Sequence, residues 1–177
     1  MLIGWGMTGG VWETAQEKAV ARTSITADGR LTMSSTNTGT YTIMTQIAAQ
    51  TLGLPLEAVT FVLGDTMLPE APVQGGSKTT ASVGSAVEAT CDELGEKILK
   101  LAQQLDDSPL KGAAFADVQF VDDQVRRNDD VTQSVVIRDV LQASGEQKVE
   151  AEASAGPDIA KQMPYSMPSP ITPCSWR

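Results

Sequence analysis

The sequence predicts an α+β fold, because strand-like and helix-like patterns alternate along one chain of 177 residues. Two runs rich in Val, Ile and Thr flank an Asp-Gly dipeptide near the N-terminus, and two later segments repeat apolar residues every three or four positions. The composition, 41% hydrophobic and 20% charged, is typical of a globular domain and not of a disordered chain.

The first two strands are predicted in VARTSITADGRLTMSST, on either side of Asp28-Gly29, a dipeptide that accepts the positive φ angles of a tight hairpin turn. From Tyr41 the period changes to that of a helix, until Gly53 and Pro55 stop it. We expect a short amphipathic helix whose buried stripe consists of Ile43, Met44, Ile47, Ala48, Thr51 and Leu52.

Residues 58–63 are β-prone and predict a buried strand. Residues 66–81 have no period and contain Pro, Gly, Ser and Thr, so they predict a long loop, a feature that is often functional in compact domains. Ser82 is expected to cap the helix that follows, which is about seven turns long. Its apolar stripe comprises Val83, Val87, Thr90, Leu94, Ile98, Leu101 and Leu105.

The second half of the chain carries weaker patterns. Val118, Phe120 and Val125 indicate a hairpin, residues 135–141 a short helix, and the alternation at 149–155 a half-exposed strand. The final stretch, MPYSMPSPITPCSWR, has no period and is predicted to be disordered or laid on the surface. We therefore divide the chain into a core segment at 1–105, a second α+β segment of the same domain at 106–162 and a tail at 163–177.

The composition also excludes several functions. The net charge of −9 disfavours binding to nucleic acid or anionic lipid, and no apolar run reaches the length of a membrane span. The absence of histidine removes Ser-His-Asp and Cys-His catalysis and zinc sites with imidazole ligands. Two cysteines, Cys91 and Cys174, are too few for a disulfide scaffold, which favours a reducing compartment.

Several motifs imitate sites. GWGMTGGV at residues 4–11 has the spacing of a dinucleotide-binding turn, but too short a strand precedes it, so we interpret it as a Gly-rich strand packed closely against a neighbour. Cys91 lies beside the apolar stripe of the long helix, which predicts a buried, inert thiol. The pairs Asp122-Asp123 and Asp129-Asp130 lack the ligand spacing of a calcium loop and are expected to be solvated turn residues.

Two loops are stronger candidates for a site, at residues 38–42 and 74–85. Each places Gly beside several hydroxyls at a helix N-terminus, where free amides and a positive dipole end attract pterin or phosphate oxygens. If the loops converge, they could grip a phosphorylated cofactor. In the other interpretation the hydroxyls cap helices and the glycines make turns, and composition alone favours that one.

The stretch from Gly4 to about Leu101 resembles the molybdenum-binding subunit of the xanthine dehydrogenase and aldehyde oxidase family. The resemblance is closest in GTYTIMTQIAAQTLGLPLEAVTFVLGDT and APVQGGSKTTASVGSAVEA. It implies a mixed sheet with packed helices, part of the molybdenum-cofactor-binding domain of that family. It also reverses the preference above, because matching loops of the family contact the cofactor. The residues implied are Gly39, Thr40, Tyr41, Gly76, Ser77, Thr79, Thr80, Ala81, Ser82 and Val83.

The resemblance further implies a cofactor and partners. The family uses molybdopterin, in some members as the cytosine dinucleotide, to hydroxylate aldehydes or N-heterocycles with oxygen from water. Electrons leave through iron-sulfur and FAD groups, here expected on partner subunits only. A cytoplasmic location is expected, with periplasmic export beside a partner subunit as the alternative.

The sequence departs from the family pattern in three places. Ser35-Thr36-Asn37-Thr38 runs directly into Gly39, where the family has an acidic or amide residue, an apolar residue and Gly. Family members are several times longer, and their essential glutamate lies beyond the point that matches Arg177. After Met167 the family's next strand is replaced by PSPITPCSWR, which we interpret as the product of a shifted reading frame.

From these departures we expect a fragment of a hydroxylase large subunit that is inactive alone. The alternatives are a non-catalytic module for anionic ligands or assembly, and a non-functional remnant.

Overall fold

A computed structural model describes residues 8–10, 14–36 and 39–157. The predicted α+β class is confirmed. The strands are β1 (Ala19–Thr26), β2 (Leu31–Ser34), β3 (Val59–Val62), β4 (Val118–Val121), β5 (Gln124–Arg127), β6 (Ser134–Val136) and β7 (Lys148–Ala155). The helices are α1 (Tyr41–Leu52), α2 (Thr79–Gln104) and α3 (Ile137–Ser144), and one-turn 3₁₀ helices at Leu56–Ala58 and Phe115–Asp117 precede β3 and β4. None of the helices in these ranges combines the length and apolar character needed to cross a membrane.

The larger sheet is mixed and has the order β3-β2-β1-β7. β1 pairs antiparallel with both β2 and β7, whereas β2 and β3 run parallel. The predicted hairpin between β1 and β2 is confirmed, with Gly29 at a φ of 81°. Its loop has three residues, because the Gly29 amide donates to the Thr26 carbonyl and the Thr26 amide to the Arg30 carbonyl. This is the turn in which a left-handed glycine closes the loop.

Helix α2 supplies the centre of the core. Its predicted stripe is confirmed from Val83 to Ile98, whose side chains are fully buried against β1 and β7. The only polar members of this face in the described ranges are Ser82 and Thr90. The Thr90 hydroxyl lies 3.1 Å from the Ala21 carbonyl of β1 and 2.6 Å from the Ala86 carbonyl. Its polar atom is therefore satisfied inside the core.

The smaller sheet, β4-β5-β6, packs on α1 and α2 through two close approaches. At Gly95 of α2, an added Cβ would lie 3.1 Å from the rings of Phe115 and Phe120. At Gly53, which ends α1 with a φ of 59°, an added Cβ would lie 2.4 Å from the backbone of Val121. Glycine at these two positions lets the second sheet join the same core.

Two predictions about the first half are wrong in part. In α1 the buried residues are Met44, Ala48, Ala49 and Leu52, while Ile43 is 37% exposed. The stripe therefore lies closer to Ala49 than the pattern indicated. Strand β3 is half buried, because one face of the strand lies on the core and the other faces solvent, so buried and exposed residues alternate.

Two boundaries also differ. Helix α2 begins at Thr79, so Ser82 lies within its first turn and is not its cap. The segment predicted as a helix from residue 135 is first a strand, β6, which ends at Val136, and the helix starts at Ile137. In both places the side chains suit either state, and pairing with distant segments decides the boundary.

The remaining elements of the second half are confirmed. The β4-β5 hairpin turns at Asp122 and Asp123, with φ angles of 52° and 61°, and β7 alternates as predicted. Asp129 and Asp130 lie in the exposed turn between β5 and β6. The GWGMTGGV motif falls mostly outside the described residues, and the predicted tail at 163–177, with its proposed frameshift, lies entirely outside them. The division at residue 105 stays a prediction.

Candidate functional site

The N-terminal ends of α1 and α2 border one open cavity of about 600 Å³. We call it the cradle, and it is lined by Thr14, Thr40 and the continuous run 74–81. Thr40 immediately precedes α1, and the run 74–81 ends in the first turn of α2. The two loops selected from the sequence therefore converge, as the binding interpretation required.

The backbone of the second loop turns sharply just before α2. Gly76 and Ser77 both have positive φ angles, 59° and 61°, and the Lys78 amide donates to the Gly75 carbonyl. Nothing lies within 4 Å of a Cβ built on Gly76, so its requirement for glycine comes from φ and not from space. Ser77 holds a conformation that is uncommon for a residue with a side chain.

Three amides at the start of α2 have no acceptor within the described residues. The N-cap residue is Lys78, whose side chain carries only donors, and the first intrahelical bond runs from the Ser82 amide to the Lys78 carbonyl at 2.9 Å. The amides of Thr79, Thr80 and Ala81 precede that bond and are left without acceptors. Neither α1 nor α2 has an acidic residue of its own in its first turn. The carboxylate found near the start of α2 is that of Glu17, which pairs with the Lys78 ammonium.

The hydroxyls of the cradle differ from those behind it. Ser77 and Thr80 are exposed and Thr79 is half-buried, and their side chains make no hydrogen bond to any described residue. Ser82 and Val83, by contrast, are fully buried. The Ser82 hydroxyl accepts from the Glu17 amide and donates to the Lys78 carbonyl.

Of the ten predicted contact residues, six line the cradle: Thr40, Gly76, Ser77, Thr79, Thr80 and Ala81. Gly39 and Tyr41 flank Thr40 in the chain, and Ser82 and Val83 lie in the core behind the wall. Gln74, Gly75 and Lys78 also line the cradle and belong to the predicted loop 74–85, although they were not among the ten, whereas Thr14 lies outside both predicted loops. Lys78 carried a signal, since it is the one charged residue in the run 74–81.

Residues 14–17 form an extended strap across the start of α2. The Gln16 side-chain amide donates to the Ser85 hydroxyl at 2.9 Å and to the Ala81 carbonyl at 3.3 Å. The Glu17 carboxylate lies 2.6 Å from the Lys78 ammonium. The strap has no periodic pattern, and its role depends on contacts more than 60 positions away, so sequence reasoning had no means to find it.

The predicted burial of Cys91 is confirmed, and its inertness stays a prediction that the surroundings of the thiol favour. Cys91 is fully buried, and its Sγ lies 3.9 Å from Sδ of Met33. Burial, reinforced by the neighbouring carboxylates of Asp92 and Glu88, raises the pKa of Cys91 to about 12. The thiol therefore stays protonated near neutrality and offers no nucleophile or metal ligand.

The family model for the molybdopterin cofactor-binding domain matches residues 1–169. The chain belongs to this family. Among curated relatives, it is 38% identical over 101 residues to the aldehyde oxidoreductase molybdenum-binding subunit PaoC of Escherichia coli K12. That match covers 55% of this chain and 14% of PaoC.

Solved structures share the fold of this chain. Quinoline 2-oxidoreductase from Pseudomonas putida 86 matches 80% of this chain with a TM-score of 0.67 and 22% identity. Carbon monoxide dehydrogenase from Oligotropha carboxidovorans matches 81% of it with a TM-score of 0.65 and 19% identity. The match covers 19% of the first structure and 18% of the second, and at these identities it establishes a shared fold.

The chemistry of the cradle fits the cofactor of the molybdopterin family. The described wall offers three amides without described acceptors, five hydroxyls and one ammonium, and no carboxylate is among its lining residues. A wall of donors without acids suits a phosphate group and the polar atoms of a pterin. The alternative left open by composition, in which the hydroxyls cap the helices, is not seen at α1 or α2, because neither N-cap residue makes a side-chain capping bond.

Proposed function

We propose that the cradle binds the phosphate end of molybdopterin and part of its pterin. The main support for this proposal is the first turn of α2, where the backbone amides of Thr79, Thr80 and Ala81 have no hydrogen-bond acceptor among the described residues. Such amides, at the positive end of a helix 26 residues long, are the donors that phosphate oxygens use in proteins.

Each predicted residue then has a distinct role. Ser77, Thr79 and Thr80 supply hydroxyl donors beside the amides, and Gly76 lets the loop turn so that its backbone can approach the ligand. Gly39, Thr40 and Tyr41 stand on the pterin side. Ser82 and Val83 act from behind: Ser82 ties the strap to α2, and Val83 anchors the first turn in the core.

We infer that the chain serves in a molybdenum hydroxylase for aldehydes or N-heterocycles. The bound cofactor would supply the oxidation chemistry, whereas the described residues would hold and orient it. The similarity to PaoC, an aldehyde oxidoreductase subunit, supports the aldehyde class, and its description as a molybdenum-binding subunit supports the existence of partner subunits. That these partners carry iron-sulfur and FAD groups stays a prediction. The cytosine dinucleotide form of the cofactor and a cytoplasmic location stay predictions.

Ligand binding to the full chain tests the proposal. We would measure thermal stabilisation by pterin phosphates and nucleoside diphosphates, since a ligand at about one hundred times its dissociation constant adds about 2.7 kcal/mol to the free energy of unfolding. The paired substitutions Thr79→Val and Thr80→Val keep the side-chain shape and remove both hydroxyls. We expect them to weaken binding about thirtyfold, because each of the two hydrogen bonds contributes about 1 kcal/mol and a change of about 1.4 kcal/mol is tenfold in affinity.

Thr60→Val is the matched control, because Thr60 is an exposed threonine on the edge strand β3. It should leave binding unchanged. Absence of stabilisation by every phosphate ligand at millimolar concentration, or equal weakening in the control, would overturn the proposal.

A further inference from the structure

One ion pair stands at the wall of the cradle. The Lys78 ammonium lies 2.6 Å from the Glu17 carboxylate, and the side chains are 20% and 48% exposed. Lys78 is the only charged residue among the described residues that line the cradle. The charge available to an anion in the cradle therefore depends on whether Glu17 holds Lys78.

The position of Glu17 is built into the fold. Its backbone amide donates to the buried Ser82 hydroxyl at 2.9 Å, and its neighbour Gln16 holds Ala81 and Ser85. These bonds fix the strap on both sides of the first turn of α2. Glu17 is thus held next to Lys78 by contacts that do not involve its own carboxylate, which can move while the strap stays in place.

Lys78 is equally well placed to change partner. It is the N-cap residue of α2, next to the three amides without described acceptors. Its flexible side chain carries three donors on one ammonium, so it can turn from a carboxylate to a phosphate without moving the helix. The pair is partly exposed, and such pairs are weak enough for exchange.

We propose that Lys78 determines the charge preference of the cradle and that Glu17 is its internal counter-ion, which a phosphate dianion displaces. With Glu17 in place, the pair is neutral, and a singly charged or uncharged ligand meets only amides and hydroxyls. A dianion attracts Lys78 more strongly than one carboxylate does, so exchange favours highly charged phosphates. This inference rests on the proposed function of the cradle and names the ligand charge that it selects.

Calorimetric titration of the full chain with inorganic pyrophosphate at low salt tests the exchange. Glu17→Gln removes the competitor and should tighten binding by about two- to fivefold, the range expected for a partly exposed ion pair. Lys78→Met should weaken binding, whereas Lys78→Arg should retain it. In the Lys78→Met background, adding Glu17→Gln should not change the affinity further, because the Glu17 carboxylate acts only through Lys78.

Glu146→Gln controls for net charge. Glu146 borders a separate surface pocket near Lys97 and Lys100, about 28 Å along α2 from Lys78. It should leave pyrophosphate binding unchanged. A gain equal to that of Glu17→Gln would mean that only overall charge matters and would overturn the inference.

Other outcomes separate this inference from the proposed function. If the wild-type chain binds pyrophosphate but the Glu17→Gln variant binds it equally or more weakly, the proposed exchange of Lys78 between Glu17 and phosphate is wrong. The proposal that the cradle binds phosphate is then unaffected. If Glu17→Gln acts equally in the Lys78→Met background, the exchange is also wrong. Absence of binding in every variant overturns both. If Glu17→Gln fails to fold, equal affinities of Lys78→Met and Lys78→Arg would overturn the role of Lys78.

Discussion

The backbone amide of Glu17 donates to the hydroxyl of Ser82 at 2.9 Å, although 65 positions separate the two residues in the sequence. The same hydroxyl donates to the Lys78 carbonyl at 2.8 Å. Ser82 thus joins the strap to the N-cap of α2. A residue expected to cap the helix instead fixes the wall of the cradle from inside.

Ser82→Ala should lower the free energy of unfolding by about 1–3 kcal/mol, because it leaves the Glu17 amide without its acceptor in a partly buried place. Urea denaturation monitored by circular dichroism measures the change. Ser154→Ala, at an exposed position of β7, is the control and should change stability by less than about 0.5 kcal/mol. Equal effects in the two variants would contradict the role given to Ser82.

Gly53→Ala should be among the most damaging single changes. The new Cβ would lie 2.4 Å from the Val121 backbone, at a φ of 59°, so both the hairpin and the end of α1 must shift. Gly112→Ala is matched to it, since Gly112 has a φ of 75° and nothing within 4 Å of an added Cβ. We expect about 1 kcal/mol of destabilisation in the control and at least about 3 kcal/mol at Gly53 by thermal or urea unfolding. A similar loss at both would show that φ alone matters.

Cys91 should make stability fall in alkaline solution. Its pKa is 9.0 as a reference and about 12 in the folded chain, so the unfolded state loses the proton first as pH rises. The stabilising contribution is complete below pH 9 and decreases between pH 9 and 12. Between pH 9 and 12, the free energy of unfolding should decrease less steeply with pH for Cys91→Ala than for the parent chain. Identical slopes would contradict the raised pKa.

Cys91 should also resist alkylation. In a Cys174→Ser background, which leaves one thiol, iodoacetamide at pH 8 should modify the native chain far more slowly than the unfolded chain. The reason is the combination of full burial and a protonated sulfur. Comparable rates in the two states, measured by mass spectrometry, would show that the thiol is accessible.

Purified without partners, the chain should hold less than stoichiometric molybdenum and oxidise no aldehyde. The cradle supplies donors for a phosphate end, and its described lining contains no carboxylate that could act as a general base. Elemental analysis and reduction of a dye acceptor check both points, with the Thr79→Val and Thr80→Val double variant as control. Full metal occupancy with turnover would contradict the prediction.

Local sequence patterns predicted most of the helices and strands. The stripe of α2 and the turn at Gly29 depend on neighbours in the sequence, so periodicity and residue type predicted them. The edge position of β3 and the exposure of Ile43 depend on which distant elements pack beside them, and the pattern carried no such information.

The cradle, too, was predictable only where its residues follow a local sequence pattern. Glycines and hydroxyls before α1 and α2 predicted both of its loops, because helix N-termini have a local signature. The strap could not be predicted, since Gln16 and Glu17 act through residues far along the chain. The sequence also did not show that Thr80 lines the cradle whereas Ser82 is buried, because that difference depends on the residue at which α2 begins.

The central position of β1 sets the order of events during synthesis. Its first residue, Ala19, pairs with Ala155, so one side of β1 has no β7 partner until nearly all of the described chain has been made. At about 5–20 residues per second, that delay lasts roughly 7–27 s on the ribosome. From the end of α2 at Gln104 to the end of β7 at Ala155, which takes about 3–10 s at the same rate, the apolar stripe of α2 lacks the cover of β7. We therefore expect the nascent chain to be most prone to aggregation in that interval.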